Sequence, residues 1–167
     1  GVARRMVAKP LFHGGMMVAA NDAHAMVAGA ATATATVIQA GALTVGLASG
    51  IETVSSYFLM IVPKFGEETD KVFVFADCAV NIDPNAEQLA DIALASAQSA
   101  AGLLSKSPRI ALLSYSTRGS ADGVSAEKVR QALRIVRSRR PDLPVDGELQ
   151  ADAAIVPRVA QKKVKDN

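Results

Sequence analysis

The spacing of apolar residues changes period several times along the chain, and each change marks an element. Met6, Met16, Met17 and Val18 fall on or near one side of a helix expected over residues 4–20. That helix is expected to bend at Pro10, and Gly14 and Gly15 leave room for close packing on it. Asn21-Asp22 reads as a turn, 26–30 as a short strand, 32–42 as a helix and 46–50 as a loop. Residues 53–62 read as a long strand containing two adjacent serines, and 64–71 as a charged, hairpin-like connection. The run that follows, 72–76, is β-branched and aromatic, too short for a helix, and fits a strand buried on both faces. The short connection makes these two strands antiparallel neighbours.

Asp77 ends the second strand with a carboxylate, and 81–84 read as a turn. Asp83 is the expected helix cap and Pro84 the expected first helical residue. Leu89, Ile92, Ala93, Ser96, Ala100, Leu103 and Leu104 then recur at helical spacing and form one small apolar face. Pro108 stops this helix before a buried strand at 109–114 and a polar loop at 115–123. Val124–Arg139 reads as an amphipathic helix, with Val129, Ala132, Leu133 and Val136 inward and Lys128, Arg130, Arg134, Arg137 and Arg139 outward. Beyond Pro141 come a short strand at 143–145, a turn at 146–148, a short strand at 153–156, a last helix and a basic, frayed tail at 162–167. Strands alternating with helices predict an α/β fold, with a mainly parallel sheet plus one antiparallel ribbon.

At 167 residues the chain is one domain or two small lobes, and its 50% hydrophobic content is enough for a sizeable core. Much of that content is Ala, Val and Gly, which predicts closely approaching elements. The net charge of +2 does not point to a nucleic acid. A single cysteine, Cys78, excludes an internal disulfide and fits a reducing, cytoplasmic setting; it is expected to be an inert core thiol. No stretch reads as a signal peptide. The uncharged stretch between Asp22 and Glu52 is long enough to span a bilayer, but its Ala, Thr and Gly content would insert poorly.

The loop 115–123 is the leading candidate site, because it leaves the carboxyl end of a strand and enters a helix. Ser116, Thr117, Ser120 and the N–H groups around Gly119 have the chemistry to hold a phosphate or a developing oxyanion, and Arg118 adds a positive charge. The same residue types also serve an ordinary turn, and the spacing matches no Walker A loop. Thr32, Thr34 and Thr36 form a second hydroxyl cluster, with helix capping as the competing role. Asp77 reads either as a general base or as an acceptor for its own turn. His13 and His24 lack partners at ligand spacing, so no metal site is expected. The arginines at 134–140 read as a solvated face.

FADCAVN at 75–81, DPNAEQLADIA at 83–93, ALLSYSTRGSA at 111–121 and DGELQADAAIVPRVA at 146–160 together resemble the phosphate acetyltransferase (phosphotransacetylase) and phosphate butyryltransferase family. AGAATATATV at 28–37 and VSSYFLM at 54–60 are similar to its segments at those places. The resemblance implies a two-domain, three-layer α/β/α fold of the isocitrate dehydrogenase-like kind, with the active site in the cleft between domains of a homodimer. It implies the reaction acetyl-CoA + phosphate ⇌ acetyl phosphate + CoA, with CoA as a substrate and no tightly bound cofactor. Residues 1–49 would then end the first domain and 50–167 form most of the second, dimerising one, its C-terminal part missing. By resemblance Thr34 and the segment Ser116, Thr117, Arg118, Gly119 and Ser120 would face substrate. The family's Ser-Arg pair and downstream Asp base find no match here, so the catalytic residues stay unassigned. Its first-domain arginine falls at Gln39, whose neutral amide cannot supply that charge. The resemblance therefore also admits a non-catalytic acyl-CoA-binding domain, as in some malic enzymes.

Overall fold

A computed structural model describes residues 1–104 and 107–164, and the chain divides into two compact units, Gly1–Gly50 and Ile51–Asn167. The first unit is helical: α1 (Val2–Val7), α2 (Pro10–Ala19) and α3 (Thr34–Thr44). Pro10 separates α1 from α2 outright instead of bending one helix, and it opens α2, where its missing N–H costs nothing. Gly15 is needed where α2 meets α3. A Cβ there would lie 2.2 Å from the Thr44 hydroxyl, and that hydroxyl donates to the Ala40 carbonyl at 2.7 Å. The strand expected at 26–30 is absent. These residues form irregular backbone with Val27 fully exposed, and no strand in the unit pairs with them.

The second unit is α/β. Its antiparallel ribbon joins β1 (Tyr57–Phe65) to β2 (Glu68–Ala76), with Tyr57 opposite Ala76 and Phe65 opposite Glu68. The charged residues expected to form the connection mostly lie inside these strands; only Gly66 and Glu67 turn, and Gly66 takes φ 62°. β1 begins later than expected because Val54 and Ser56 bond to the side chains of Asn81 and Asp77. The ribbon is not buried on both faces. Phe58 and Ile61 are each about 60% exposed, and Tyr57, Leu59, Met60 and Phe75 are also exposed, since each strand has a single partner among the described residues.

Helix α4 (Ala86–Leu104) starts later than Asp83 and Pro84 suggested. Asn85 caps it: its side-chain oxygen accepts the Gln88 N–H at 2.9 Å, and the Gln88 side chain accepts the Asn85 N–H at 2.9 Å. Asp83 instead pairs with Lys128. Its buried face is Ala90, Asp91, Ile92, Ala93, Ala97 and Ala100, with Leu103 left outside. β3 (Ile110–Leu113) and β4 (Val145–Leu149) pair in parallel, flanking α5 (Val124–Arg139) in sequence. The residues expected to turn at 146–148 lie within β4. Those expected as a strand at 153–156 belong largely to α6 (Ala151–Ile155), followed by α7 (Pro157–Lys163). Lys163 pairs with Asp152, while 165–167 of the expected frayed tail lie outside the described residues.

The core joins α4, β3, α5 and β4 through Ala90, Ala93, Leu112, Val129, Ala132, Leu133, Val136 and Val145. Alanines on both helices let α4 and α5 approach closely. The strands β3 and β4 also approach closely: a Cβ on Gly147 would lie 2.9 Å from the Leu112 Cβ and 3.0 Å from its carbonyl oxygen. Neither atom can swing away. Gly147→Ala is therefore expected to cost about 1–3 kcal/mol through overpacking. An unchanged denaturant midpoint for that variant would show that the strands can part at no cost.

Candidate functional site

Between Leu113 and Val124 the chain does not stand open as a cradle; it closes around one carboxylate. β4 carries one residue more than β3: Leu112 pairs with Gly147 and Leu113 with Leu149, leaving Glu148 unpaired in a bulge. A bulge re-aims the side chain of its extra residue. Glu148, 2% exposed, accepts the Ser116 hydroxyl at 2.8 Å, the Gly119 N–H at 2.8 Å and an Arg130 N–H at 3.2 Å, all on Oε1. Its backbone carbonyl accepts the Arg118 N–H at 3.0 Å. Arg118 and Gly119 take successive left-handed conformations, φ 49° and 78°, which carries the chain through the sharp turn there. Burial pushes the Glu148 carboxyl up, but the Gly119 N–H, the Ser116 hydroxyl and the Arg130 charge outweigh it and hold it below its ordinary value.

The other loop groups are engaged too. The Ser116 oxygen accepts the Ala121 N–H at 3.1 Å. The Thr117 hydroxyl accepts the Gln150 N–H at 3.0 Å and donates to the Gln150 side-chain oxygen at 3.3 Å. The Thr117 N–H donates to Ser120 Oγ at 2.9 Å. Arg118 pairs with Asp146 at 2.7 Å on the surface. Ser116 and Thr117 are thus buried, while Arg118, Gly119 and Ser120 form the exposed rim. What faces outward is the Ser120 hydroxyl, the Arg118 guanidinium already sharing a carboxylate, the exposed Tyr115, whose hydroxyl donates to the Asp122 carbonyl at 3.1 Å, and the start of α5, where Gly123 supplies no side-chain cap. Beside this start lies a solvent-open hollow of about 580 Å³, bounded also by Asn85, Ala86, Lys128 and Arg130.

Thr34 belongs to the other unit, as the exposed first residue of α3. Ala33 is the cap residue and no side chain caps this helix, so the capping role weighed for the threonines is not met. Gln39 is exposed on α3. Asp77 serves its own turn, with its carboxylate accepting from Ser56 and Asn81. Cys78 is half-buried rather than in the core, its Sγ 2.9 Å from the Phe75 carbonyl. Arg134, Arg137, Arg139 and Arg140 each pair with a carboxylate. Among the described residues no cluster of His, Cys, Asp or Glu could hold a metal ion, and no helix is long and apolar enough to cross a membrane. Glu148 is the residue the sequence reading missed. An acid next to a glycine inside a short strand is the available signal for such a bulge.

The second unit is thus an α/β body whose strand-to-helix loop is fastened to the neighbouring parallel strand. The sequence profile of phosphate acetyl/butaryl transferases matches residues 1–167, and the chain belongs to that family. The phosphate acetyltransferase of Acetivibrio thermocellus is 42% identical over 163 residues, covering 98% of this chain and 49% of that protein. That of Thermoanaerobacterium thermosaccharolyticum is 47% identical, covering 96% and 49%. Among solved structures, a phosphotransacetylase from Streptococcus pyogenes superposes with a TM-score of 0.84 at 41% identity, covering 98% of this chain and 48% of that one. The EutD phosphotransacetylase from Staphylococcus aureus gives 0.79 at 35% identity, covering 92% and 46%. The chain spans about half the length of these relatives.

Proposed function

We propose that these residues are part of a phosphate acetyltransferase catalysing acetyl-CoA + phosphate ⇌ acetyl phosphate + CoA. The observation that carries this reading is the family match along the whole chain, together with relatives that bear that name. In this reading 1–49 end the first domain and 50–167 form much of the second. The division between Gly50 and Ile51 supports that boundary. The uncovered apolar ribbon of β1 and β2 supports a dimerising second domain, since large exposed apolar patches mark interaction surfaces. The enzyme would work in the cytoplasm as a homodimer, with CoA, phosphate and acetyl phosphate as its reactants and no tightly bound cofactor.

In the direction of acetyl-CoA synthesis, the CoA thiolate attacks the carbonyl carbon of acetyl phosphate. The S–C bond forms, the C–O bond to phosphate breaks, phosphate leaves with the bonding pair, and the thiol proton passes to a base. The rim at Arg118, Gly119 and Ser120 would contact an anionic reactant, with Ser116 and Thr117 behind the rim holding its shape; for Thr34, in the other unit, a substrate contact rests on the resemblance alone. Such contacts act by orienting two reactants against each other. The base and the Ser-Arg pair that the resemblance calls for are not matched in these residues.

The test is thiol release from acetyl-CoA and phosphate, run on this chain and on the full gene product side by side. Release by the longer product is expected. Gln39 favours a second reading, an acyl-CoA-binding domain without turnover, because an exposed amide stands where the family's arginine is expected. Acetyl-CoA binding by the full product with no acetyl phosphate formed would establish it in place of the first.

A further inference from the structure

We infer that Glu148 is a positioning residue: its buried carboxylate sets the shape of the 116–120 loop and, through that shape, the loop's hold on the anionic substrate. The inference rests on the transferase reading above. One oxygen, Glu148 Oε1, receives a hydroxyl from the loop's first residue, an N–H from its turn and a guanidinium N–H from α5. The same residue's carbonyl takes the Arg118 N–H. Four bonds, three from the 116–119 loop and one from α5, therefore converge on Glu148, three on its carboxylate and one on its own carbonyl.

Buried polar groups must be paired, and a charged acceptor in such a network binds its donors more strongly than a neutral one. Without Glu148, the Ser116 hydroxyl and the Gly119 N–H lose their acceptor inside the protein, and the Arg130 cation keeps only Glu127 among the described residues. The left-handed pair at Arg118 and Gly119 then keeps only the Arg118 N–H on the carbonyl of residue 148, the Arg118–Asp146 pair and the Thr117–Ser120 bonds, and Arg118 is an unfavourable residue for that backbone. The exposed rim would loosen even though the helices and the apolar core stay packed. Glu148 holds the backbone N–H groups of Arg118 and Gly119 but bonds neither the Arg118 guanidinium, which pairs with Asp146, nor the Ser120 hydroxyl, which takes the Thr117 N–H, so it acts through the loop and not on the reactants.

The test uses the full gene product with Glu148→Ala and Glu148→Gln. Hydrogen exchange at the Gly119 amide reads the loop, and the KM and kcat for phosphate and acetyl-CoA read the substrate. Glu148→Ala is expected to speed Gly119 exchange and raise KM about tenfold, with a smaller change in kcat. Glu148→Gln keeps a carbonyl oxygen that can accept both Ser116 and Gly119, and is expected to recover most of the protection and of the KM. Two results overturn the inference: Gly119 exchange unchanged in Glu148→Ala, or a loss confined to kcat and equally deep in both variants, the mark of a carboxylate acting on the reactants. Should the unsubstituted protein protect Gly119 yet turn nothing over, the transferase reading falls, and with it the link to substrate. The exchange result then still decides whether Glu148 holds the loop.

Discussion

Leu133→Ala is expected to cost about 2–5 kcal/mol, the usual range for truncating a buried leucine. Leu133 is 7% exposed and sits in the cluster that joins α4, α5, β3 and β4. The cluster also holds Ala90, Ala93 and Ala132, which have no longer side chain to swing into the space, while Leu112, Val129, Val136 and Val145 could relax into part of it. How far they do so sets where in that range the cost falls. Leu103→Ala is the matched control. Leu103 was read from its spacing as part of an apolar helix face, yet it is 54% exposed, and its truncation should change stability by less than about 0.5 kcal/mol. The midpoints of urea unfolding for the two variants check the pair. Equal midpoints would mean that the cluster is not the core of the second unit.

The contrast between these two leucines shows where sequence reading succeeds and where it stops. Helix α5 was legible, bounds included, because its sixteen residues carry a strong helical period between Gly123 and Pro141. Its inward set, Val129, Ala132, Leu133 and Val136, is buried as read. The antiparallel ribbon was legible too, since a short link leaves few other ways to join two apolar runs. β4 was cut short because Asp146 and Glu148 look like turn residues. Their place in a strand depends on Arg118, Arg137, Arg130 and Ser116, which are distant in sequence. The run at 153–156 was too brief for its period to separate strand from helix. At the candidate loop the residue types were plain, but the direction of each hydroxyl was not. Ser116 turns inward for a carboxylate 32 residues further on, a contact no local pattern announces.

Asp77→Ala is expected to cost about 2–4 kcal/mol, since it leaves several donors at once without an acceptor. The carboxylate receives the Ser56 N–H at 3.0 Å and the Ser56 hydroxyl, and the Asn81 N–H and side-chain amide, the last at 2.7 Å. It thereby ties the segment before β1 to the turn after β2. Burial raises the carboxyl's pKa, but the Ser56 and Asn81 donors outweigh burial and hold it well below the ordinary range. The sign of the pH dependence follows. The unfolded group titrates near pH ~3.9, so the stabilisation is fully present above that value and is lost as pH falls towards the lower folded value. Asp77→Asn keeps the shape but has no charge to lose. The gap in stability between the unsubstituted chain and Asp77→Asn should therefore narrow as pH falls below about 4. Asp91 and Glu148, whose carboxyls are also held low, titrate in both proteins and cancel in the difference. A gap that stays constant from neutral pH down through the titration would place the stabilisation in the side chain's shape and not in its charge.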